Sequence, residues 1–505
     1  MALNSATIKS IQDIMRKDAG VDGDAQRLGQ LTWLLFLKIF DDREQEWEIT
    51  VKKYRSPIPE ELRWRNWAAD TEGLTGDGLL DFINNKLFPS LKGLSPEASP
   101  RHRVIHDVFE DAYQYMKNGT LVRQVINKIN ESLDFNRSED RHIFGDLYEQ
   151  ILKDLQSAGN AGEYYTPRAV TQFMVDMINP QLSETVLDPA CGTGGFLTCT
   201  IDNLRKQVKT PDDEELLQRS VQGIEKKPLP HLLCVTNMLL HGIDVPTNVR
   251  HDNTLARPLA SYGPKDRVDC IITNPPFGGM EEDGIETNFP QKFRTRETAD
   301  LFLVLILTLL KDGGRGAIVL PDGTLFGEGV KTTIKEKLLA ECNLHTIVRL
   351  PNGVFSPYTG IKTNLLFFIK GQPTKEIWYY EHPYPPGAKS YNKTKPIRIE
   401  EFDTEKAWWF GEQPKTKGKA KREGEAPAEP LFAKRVESPQ AWRVSIEQIQ
   451  ANGYNLDIKN PHDSSEAHAD PDELLADYQI LMTELQQTRD RLKDELFQAL
   501  EGSTR

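Results

Sequence analysis

The apolar run Val268-Asp269-Cys270-Ile271-Ile272-Thr273 stops in Asn274-Pro275-Pro276-Phe277, and no other four residues constrain this chain as much. A short β-branched run ending in such a turn reads as a buried strand that delivers rigid backbone to the carboxyl edge of a sheet. Open α/β folds carry their ligands there. Each proline lacks an N–H and has a fixed φ, so the carbonyls stay free to accept hydrogen bonds from something else. An amide side chain, a free carbonyl and an aromatic face together suit a planar base that carries an amino group. The Asn274 amide oxygen and the Pro275 carbonyl can each take one hydrogen of that amine, while Phe277 stacks on the ring. Asn and Pro also end strands in ordinary turns, so the motif needs a companion site upstream.

Upstream, Glu184-Thr185-Val186-Leu187 reads as a strand. Asp188-Pro189-Ala190-Cys191-Gly192-Thr193-Gly194-Gly195-Phe196-Leu197 then reads as a glycine-rich turn feeding a helix that runs to about Gln207. The pattern is neither Gly-x-Gly-x-x-Gly nor a Gly-Lys-Ser/Thr triphosphate loop. With Asp188 at the strand end, it suits a ligand with an amino-acid head group better than a pyrophosphate. The next strand, Val221-Gln222-Gly223-Ile224-Glu225, ends in an acid, and a carboxylate there can take both hydroxyls of a ribose. After a helix over residues 229–241 comes Asn248-Val249-Arg250-His251-Asp252-Asn253, where Asp252 can accept from an adenine amino group. Each feature alone has an ordinary explanation as a tight turn or a solvated strand end. Their succession along one sheet edge does not.

With these segments in place, the chain resembles the adenine-specific DNA methyltransferases, and more closely the modification subunits of type I restriction-modification systems. The resemblance rests on residues 188–197, on Asn274 to Phe277, and on Gly162-Glu163-Tyr164-Tyr165-Thr166-Pro167-Arg168 upstream of both. It extends to Leu350-Pro351-Asn352-Gly353-Val354-Phe355, Gly360-Ile361-Lys362-Thr363-Asn364 and Asn452-Gly453-Tyr454-Asn455-Leu456, so it spans most of the chain. It implies that S-adenosylmethionine is bound by Glu163, Tyr164, Tyr165, Thr166, Pro167, Arg168, Asp188, Gly192, Thr193, Gly194, Gly195 and Glu225, joined by Asp252. It further implies that Asn274, Pro275, Pro276 and Phe277 are the catalytic segment acting on the amino group of a flipped adenine, without a metal. The fold it implies is α/β: a Rossmann-like S-adenosylmethionine-dependent methyltransferase domain with an N-terminal helical domain and a C-terminal helical segment.

Residues 1–145 read as that helical domain. Leu28, Leu31, Leu34, Leu35, Leu37, Ile39 and Phe40 form one apolar run and Phe82, Ile83 and Leu87 another, with a proline-containing break at residues 56–59. Residues 146–410 hold the methyltransferase domain. Further strands are predicted at 317–321 and 346–350 around a helix at 331–342. A last strand at 365–369 is expected, from the resemblance, to be antiparallel. Residues 411–432 read as a linker or exposed loop, because residues 411–430 contain no Val, Ile, Leu or aromatic side chain. Residues 433–505 form a C-terminal segment in which Leu474, Tyr478, Leu481, Leu485 and Leu492 keep helical spacing, an apolar stripe suited to a partner's helices.

Composition bears on partners and compartment. The chain carries 75 acidic against 62 basic side chains, a formal charge of −13, whereas a self-sufficient duplex binder presents a basic face to displace counterions. Lys292, Arg294 and Arg296, after the catalytic segment, are candidates for a local basic patch. The overall charge points to another subunit for most DNA affinity. The resemblance implies such partners: a specificity subunit, with two modification subunits per specificity subunit, and a restriction subunit in the full complex. No secretory h-region opens the sequence, the longest apolar stretch (301–310) is too short to cross a bilayer, and the five cysteines lack metal-ligand spacing. A cytoplasmic enzyme with reduced, packed thiols is the expectation. Three alternatives stay open on the residues alone: a cytosine amino methyltransferase, against which Asn274 in place of Ser argues, a methyltransferase of protein glutamine, and a non-catalytic assembly subunit.

Overall fold

In the computed structural model the β-branched runs become one sheet. Its strands are β1 (Val186–Asp188), β2 (Val221–Glu225), β3 (Val249–His251), β4 (Val268–Thr273), β5 (Leu310–Pro321), β6 (Cys342–Arg349), β7 (Thr363–Lys370), β8 (Glu376–Glu381) and β9 (Ala441–Ser445). The structure describes residues 5–132, 165–356, 359–392, 394–411 and 435–462, with residues 482, 483, 486, 488, 489 and 492. The strand order is β3-β2-β1-β4-β5-β7-β6-β8-β9. The chain steps outward through β1, β2 and β3, then returns to place β4 on the other side of β1, in parallel pairing throughout. Between β1 and β4 the crossovers diverge, and a crevice opens beyond their carboxyl ends.

Strand β7 runs antiparallel to both β5 and β6, as expected for residues 365–369, but it is not the last strand. β8 pairs in parallel with β6, and β9 pairs antiparallel with β8, so the sheet draws in residues well beyond 410. Aromatic side chains secure this added edge: Tyr379 and Trp442 stack with ring centroids 5.4 Å apart.

The N-terminal region is helical, with α1 (Ser5–Met15), α2 (Asp24–Thr50), α3 (Pro100–Glu110) and α4 (Gly119–Ser132) among its elements. Trp33, Leu34, Phe36 and Phe40 of α2 are buried, and the chain leaves the helix before the predicted break at 56–59. The sheet is flanked by α5 (Arg168–Ile178), α6 (Gly195–Arg205), α7 (Pro228–Leu240), α8 (Thr298–Leu309) and α9 (Val330–Glu341). Helix α8 is buried on nearly every side, which explains its apolar run from Leu301 to Leu307. Buried side chains of α2 and α7 share one apolar cluster, and Arg43 of α2 pairs with Asp244 beyond α7, so the helical region packs against the helix that follows β2.

Of the expected linker, only Gly411 is among the described residues, and of the C-terminal apolar stripe only Leu492, which is helical and exposed. All five cysteines are buried. No helix of the described residues is long and apolar enough to cross a membrane.

Candidate active site at the carboxyl edge of the sheet

Asp188 closes β1 at the crevice and is 1% exposed. Its Oδ1 accepts hydrogen bonds from the Thr273 hydroxyl at 2.7 Å and from the Ala190 N–H at 3.1 Å, tying the end of β4 to the end of β1. Burial pushes its carboxyl up to about 7, and the neighbouring Glu225 adds to the shift against the pull of those two hydrogen bonds. Glu225, at the end of β2, is also buried, and burial raises its carboxyl above the usual range. Gly192 N–H donates to Glu225 Oε2 at 3.0 Å and Lys227 N–H to Oε1 at 2.7 Å. A carboxylate has about four lone-pair directions, so both oxygens keep capacity for further donors.

The turn after β1 runs through left-handed backbone at Gly192 and Gly194, with φ of +53° and +85°. At Gly194 glycine is required twice over, because a Cβ there would stand 2.8 Å from Cys234 Sγ of α7. The turn therefore hugs α7 and leaves a cavity of about 250 Å³ between itself, Glu225 and Asn274.

Asn274 follows β4 directly. Its Nδ2 donates to Thr166 Oγ1 at 3.0 Å, and its Oδ1 is buried with no partner. Leaving an acceptor in that state costs about 1–3 kcal/mol, so the position is held for a donor that arrives from outside. Pro275 is buried and Pro276 lines the cavity. Phe277 is half-buried and braced edge-on by Phe355, with centroids 6.0 Å apart and ring planes at 77°.

Eight of the sequence-predicted residues line this cavity: Thr166, Asp188, Gly192, Thr193, Gly195, Glu225, Asn274 and Pro276. Gly194 shapes the turn, while Pro275 and Phe277 stand behind Asn274. Tyr165 is buried in the apolar core and Pro167 caps α5. Arg168 is placed differently from the expectation: its guanidinium donates to Thr198 Oγ1 at 2.6 Å and pairs with Asp202 at 2.9 Å, because α6 offers a hydroxyl and a carboxylate beside it. Asp252 is exposed and outside the cavity lining, although its N–H donates to the Glu225 carbonyl at 3.0 Å. Glu163 and Tyr164 lie outside the described residues.

Sequence reasoning missed Lys226, Lys227, Met280, Glu281 and Thr298 in the lining. Lys226 pairs with Glu281 at 3.2 Å and Glu282 at 2.9 Å, a clasp between the loop after β2 and the loop after Phe277. The signal was two lysines directly after Glu225 and an acidic run at 281–283, but their pairing crosses between loops and has no local pattern. The expected basic patch is partly neutralised, since Arg296 pairs with Asp283 at 2.7 Å. Among the described residues no group of His, Cys, Asp and Glu is arranged to hold a metal ion.

Fold and site together define an α/β enzyme of the methyltransferase class. Comparison with known proteins narrows this. The family described as N-6 DNA Methylase matches residues 139–470, and the HsdM N-terminal domain matches residues 4–129. The methylase subunit of the type I restriction enzyme EcoEI from Escherichia coli is 61% identical over 99% of both chains. That of StySJI from Salmonella typhimurium is 30% identical over 79% of this chain and 74% of its own. A crystal structure of a type I modification subunit from Vibrio vulnificus superposes with a TM-score of 0.79 at 44% identity, covering 92% of this chain and 98% of that one. The chain belongs to the N-6 DNA methylase family, among the methylase subunits of type I restriction enzymes.

Proposed function

We propose that the chain transfers a methyl group from S-adenosylmethionine to the 6-amino group of adenine in duplex DNA, as the modification subunit of a type I restriction-modification complex. The observation that carries this reading is Asn274 Oδ1, buried and unpaired at the wall of a cavity that two buried acids and a glycine turn enclose. The residues fit the methyl donor. Glu225 retains acceptor capacity for ribose hydroxyls, Asp188 faces the cavity with a carboxyl poised near neutral pH, and Gly194 lets the turn press against α7, which keeps its backbone out of the cavity. When bound, S-adenosylmethionine supplies an electrophilic sulfonium methyl.

The protein's own part is orientation and charge. Asn274 Oδ1 and the Pro275 carbonyl accept the two hydrogens of the target amine, which directs its lone pair away from the ring and toward the cavity. The same two oxygens meet the positive charge that builds on the nitrogen during transfer. Thr166 holds the Asn274 amide in the required orientation, and Phe277, braced by Phe355, offers its face to a base drawn out of the stack. The chain's net charge of −13 supports a specificity subunit as the supplier of most phosphate and base contacts, with a restriction subunit in the full complex. A DNA substrate of this kind supports a cytoplasmic location.

Two measurements probe the donor site. Glu225→Ala should weaken S-adenosylmethionine binding by ~1–3 kcal/mol in calorimetric titration, the range for losing charge-assisted hydrogen bonds. An unchanged dissociation constant would leave Glu225 as a turn-holding residue only. The second is a pH series. Asp188 takes up a proton as the pH falls through about 7, which removes the charge that favours a cationic ligand, so donor affinity should decline between pH 8 and pH 6. Stability should move the opposite way in the free protein. The folded pKa lies above the ordinary 3.8, so the folded state binds the extra proton between about 4 and 7 and gains stability as the pH falls across that window. Asp188→Asn should flatten both dependences, and persistence of either would point to another titrating group.

A further inference from the structure

A second cavity of about 550 Å³ opens on the same sheet edge, at the carboxyl ends of β5, β6 and β8. Asn364, near the start of β7, lines it and is fully buried. Its Nδ2 donates to Asp322 Oδ1 at 2.6 Å, and its Oδ1 has no partner. This repeats the disposition of Asn274, whose Nδ2 is tied to Thr166 while its Oδ1 is left unpaired. In both cavities one neighbour fixes the amide and leaves a buried acceptor waiting for an N–H.

The other walls narrow the chemistry. The Arg349 guanidinium is spent inside the protein, on the Ile458 carbonyl at 2.8 Å and on Asp457 at 2.5 Å. Glu381 accepts from Asn460 Nδ2 at 3.0 Å, so the acids at this cavity are partnered from within, as Asp322 is. Tyr384 is half-buried, its hydroxyl donating to the Asn352 carbonyl at 3.1 Å, and it lines the cavity together with Pro351 and Pro383. Lys362 is exposed at the rim. A deep acceptor for an N–H, aromatic and prolyl walls and a cation at the mouth match a heteroaromatic ring with an anionic tail.

The geometry points to a second nucleotide-binding site, in which Asn364 Oδ1 accepts an N–H of the base, Tyr384 lies against the ring and Lys362 meets the phosphate. The nucleotide has two sources with this chemistry, a nucleotide of the bound DNA or a free nucleotide. The inference goes beyond the methyl-transfer reading, since it rests on Asn364 and its surroundings alone.

The test uses the full chain saturated with S-adenosylmethionine, so that the donor part of the first cavity is filled, and titrates it with adenosine monophosphate by calorimetry; variants at Asn364, Tyr384 and Lys362 separate the second site from the base position beside Asn274. Donor binding is read separately in the same sample, which keeps a failure there distinct. A further saturable site is expected. Asn364→Leu and Tyr384→Ala should each weaken it by about tenfold or more, and Lys362→Gln by about threefold or more, with donor affinity unchanged. The rim variant Lys362→Gln guards against misfolding of the buried one. Displacement by a single-stranded oligonucleotide would assign the site to DNA, and persistence beside it would assign it to a free nucleotide. Absence of binding at millimolar adenosine monophosphate, or binding unaltered in both Tyr384→Ala and Lys362→Gln, would overturn the proposal.

Discussion

Asn274→Ala should reduce methyl transfer by at least about 10²–10³-fold, the scale seen when a preorganised partner of the transition state is removed. Donor affinity should stay close to that of the parent. The two effects separate because Asn274 Oδ1 is not bonded to any protein group, whereas the donor-side hydrogen bonds at Asp188 and Glu225 do not involve Asn274. Single-turnover transfer and calorimetric donor binding on the same preparation check this. Thr166→Val provides a graded companion: it removes the bond to Asn274 Nδ2 without touching the reacting amine, so it should lower the rate less than Asn274→Ala does. Equal loss of donor binding in Asn274→Ala would mean that the side chain serves the donor instead of the base.

Gly194→Ala should be the most damaging single methyl group in the donor site. The residue has φ +85°, and a Cβ would meet Cys234 Sγ at 2.8 Å and Met238 Cε at 3.2 Å. Left-handed backbone costs an alanine about 1–2 kcal/mol and overpacking typically about 1–3, so a loss of about 2–5 kcal/mol is expected in denaturant unfolding. Any relief must move the turn away from α7 and into the cavity, so donor affinity should fall as well. Gly278→Ala is the useful comparison, because that glycine also has positive φ, +62°, but nothing lies within 4 Å of the built Cβ. It should show only the backbone cost. Equal stability of the two variants would show that contact with α7 does not shape the turn.

What could be read from the sequence was local. Strands β2 and β4 begin and end where their β-branched runs predict, and α8 follows from the largely apolar stretch 301–310 between polar ends. The acid at the end of each of β1 and β2 could be placed at a ligand crevice because strand order in a doubly wound sheet decides which ends meet. The antiparallel strand near 365 came only from family resemblance, since no residue pattern announces strand direction. Strands β8 and β9 were missed for a related reason. Their pairing joins residues 376–380 to 441–445, and the aromatic stacking that secures it appears only once those segments are side by side.

The site shows the same division. The Asn-Pro-Pro-Phe segment and the glycine turn declare themselves by composition, but the bond from Asn274 to Thr166 spans 108 residues. It turns a segment expected to bind the methyl donor into one that also sets the orientation of the Asn274 amide. Arg168 went the other way: the family resemblance implied a ligand contact there, and its guanidinium meets Thr198 and Asp202 of α6.

The central claim is that this cavity delivers methyl groups to the amino nitrogen of adenine when a specificity subunit brings the DNA. The most direct measurement combines the chain with its specificity subunit, duplex DNA and methyl-labelled S-adenosylmethionine, then identifies the labelled nucleoside by mass spectrometry, with the lone chain run alongside. The account predicts label in N6-methyladenine, abolished by Asn274→Ala and strongly dependent on the specificity subunit. Label in a cytosine or in protein, or equal methylation by the lone acidic chain, would contradict it.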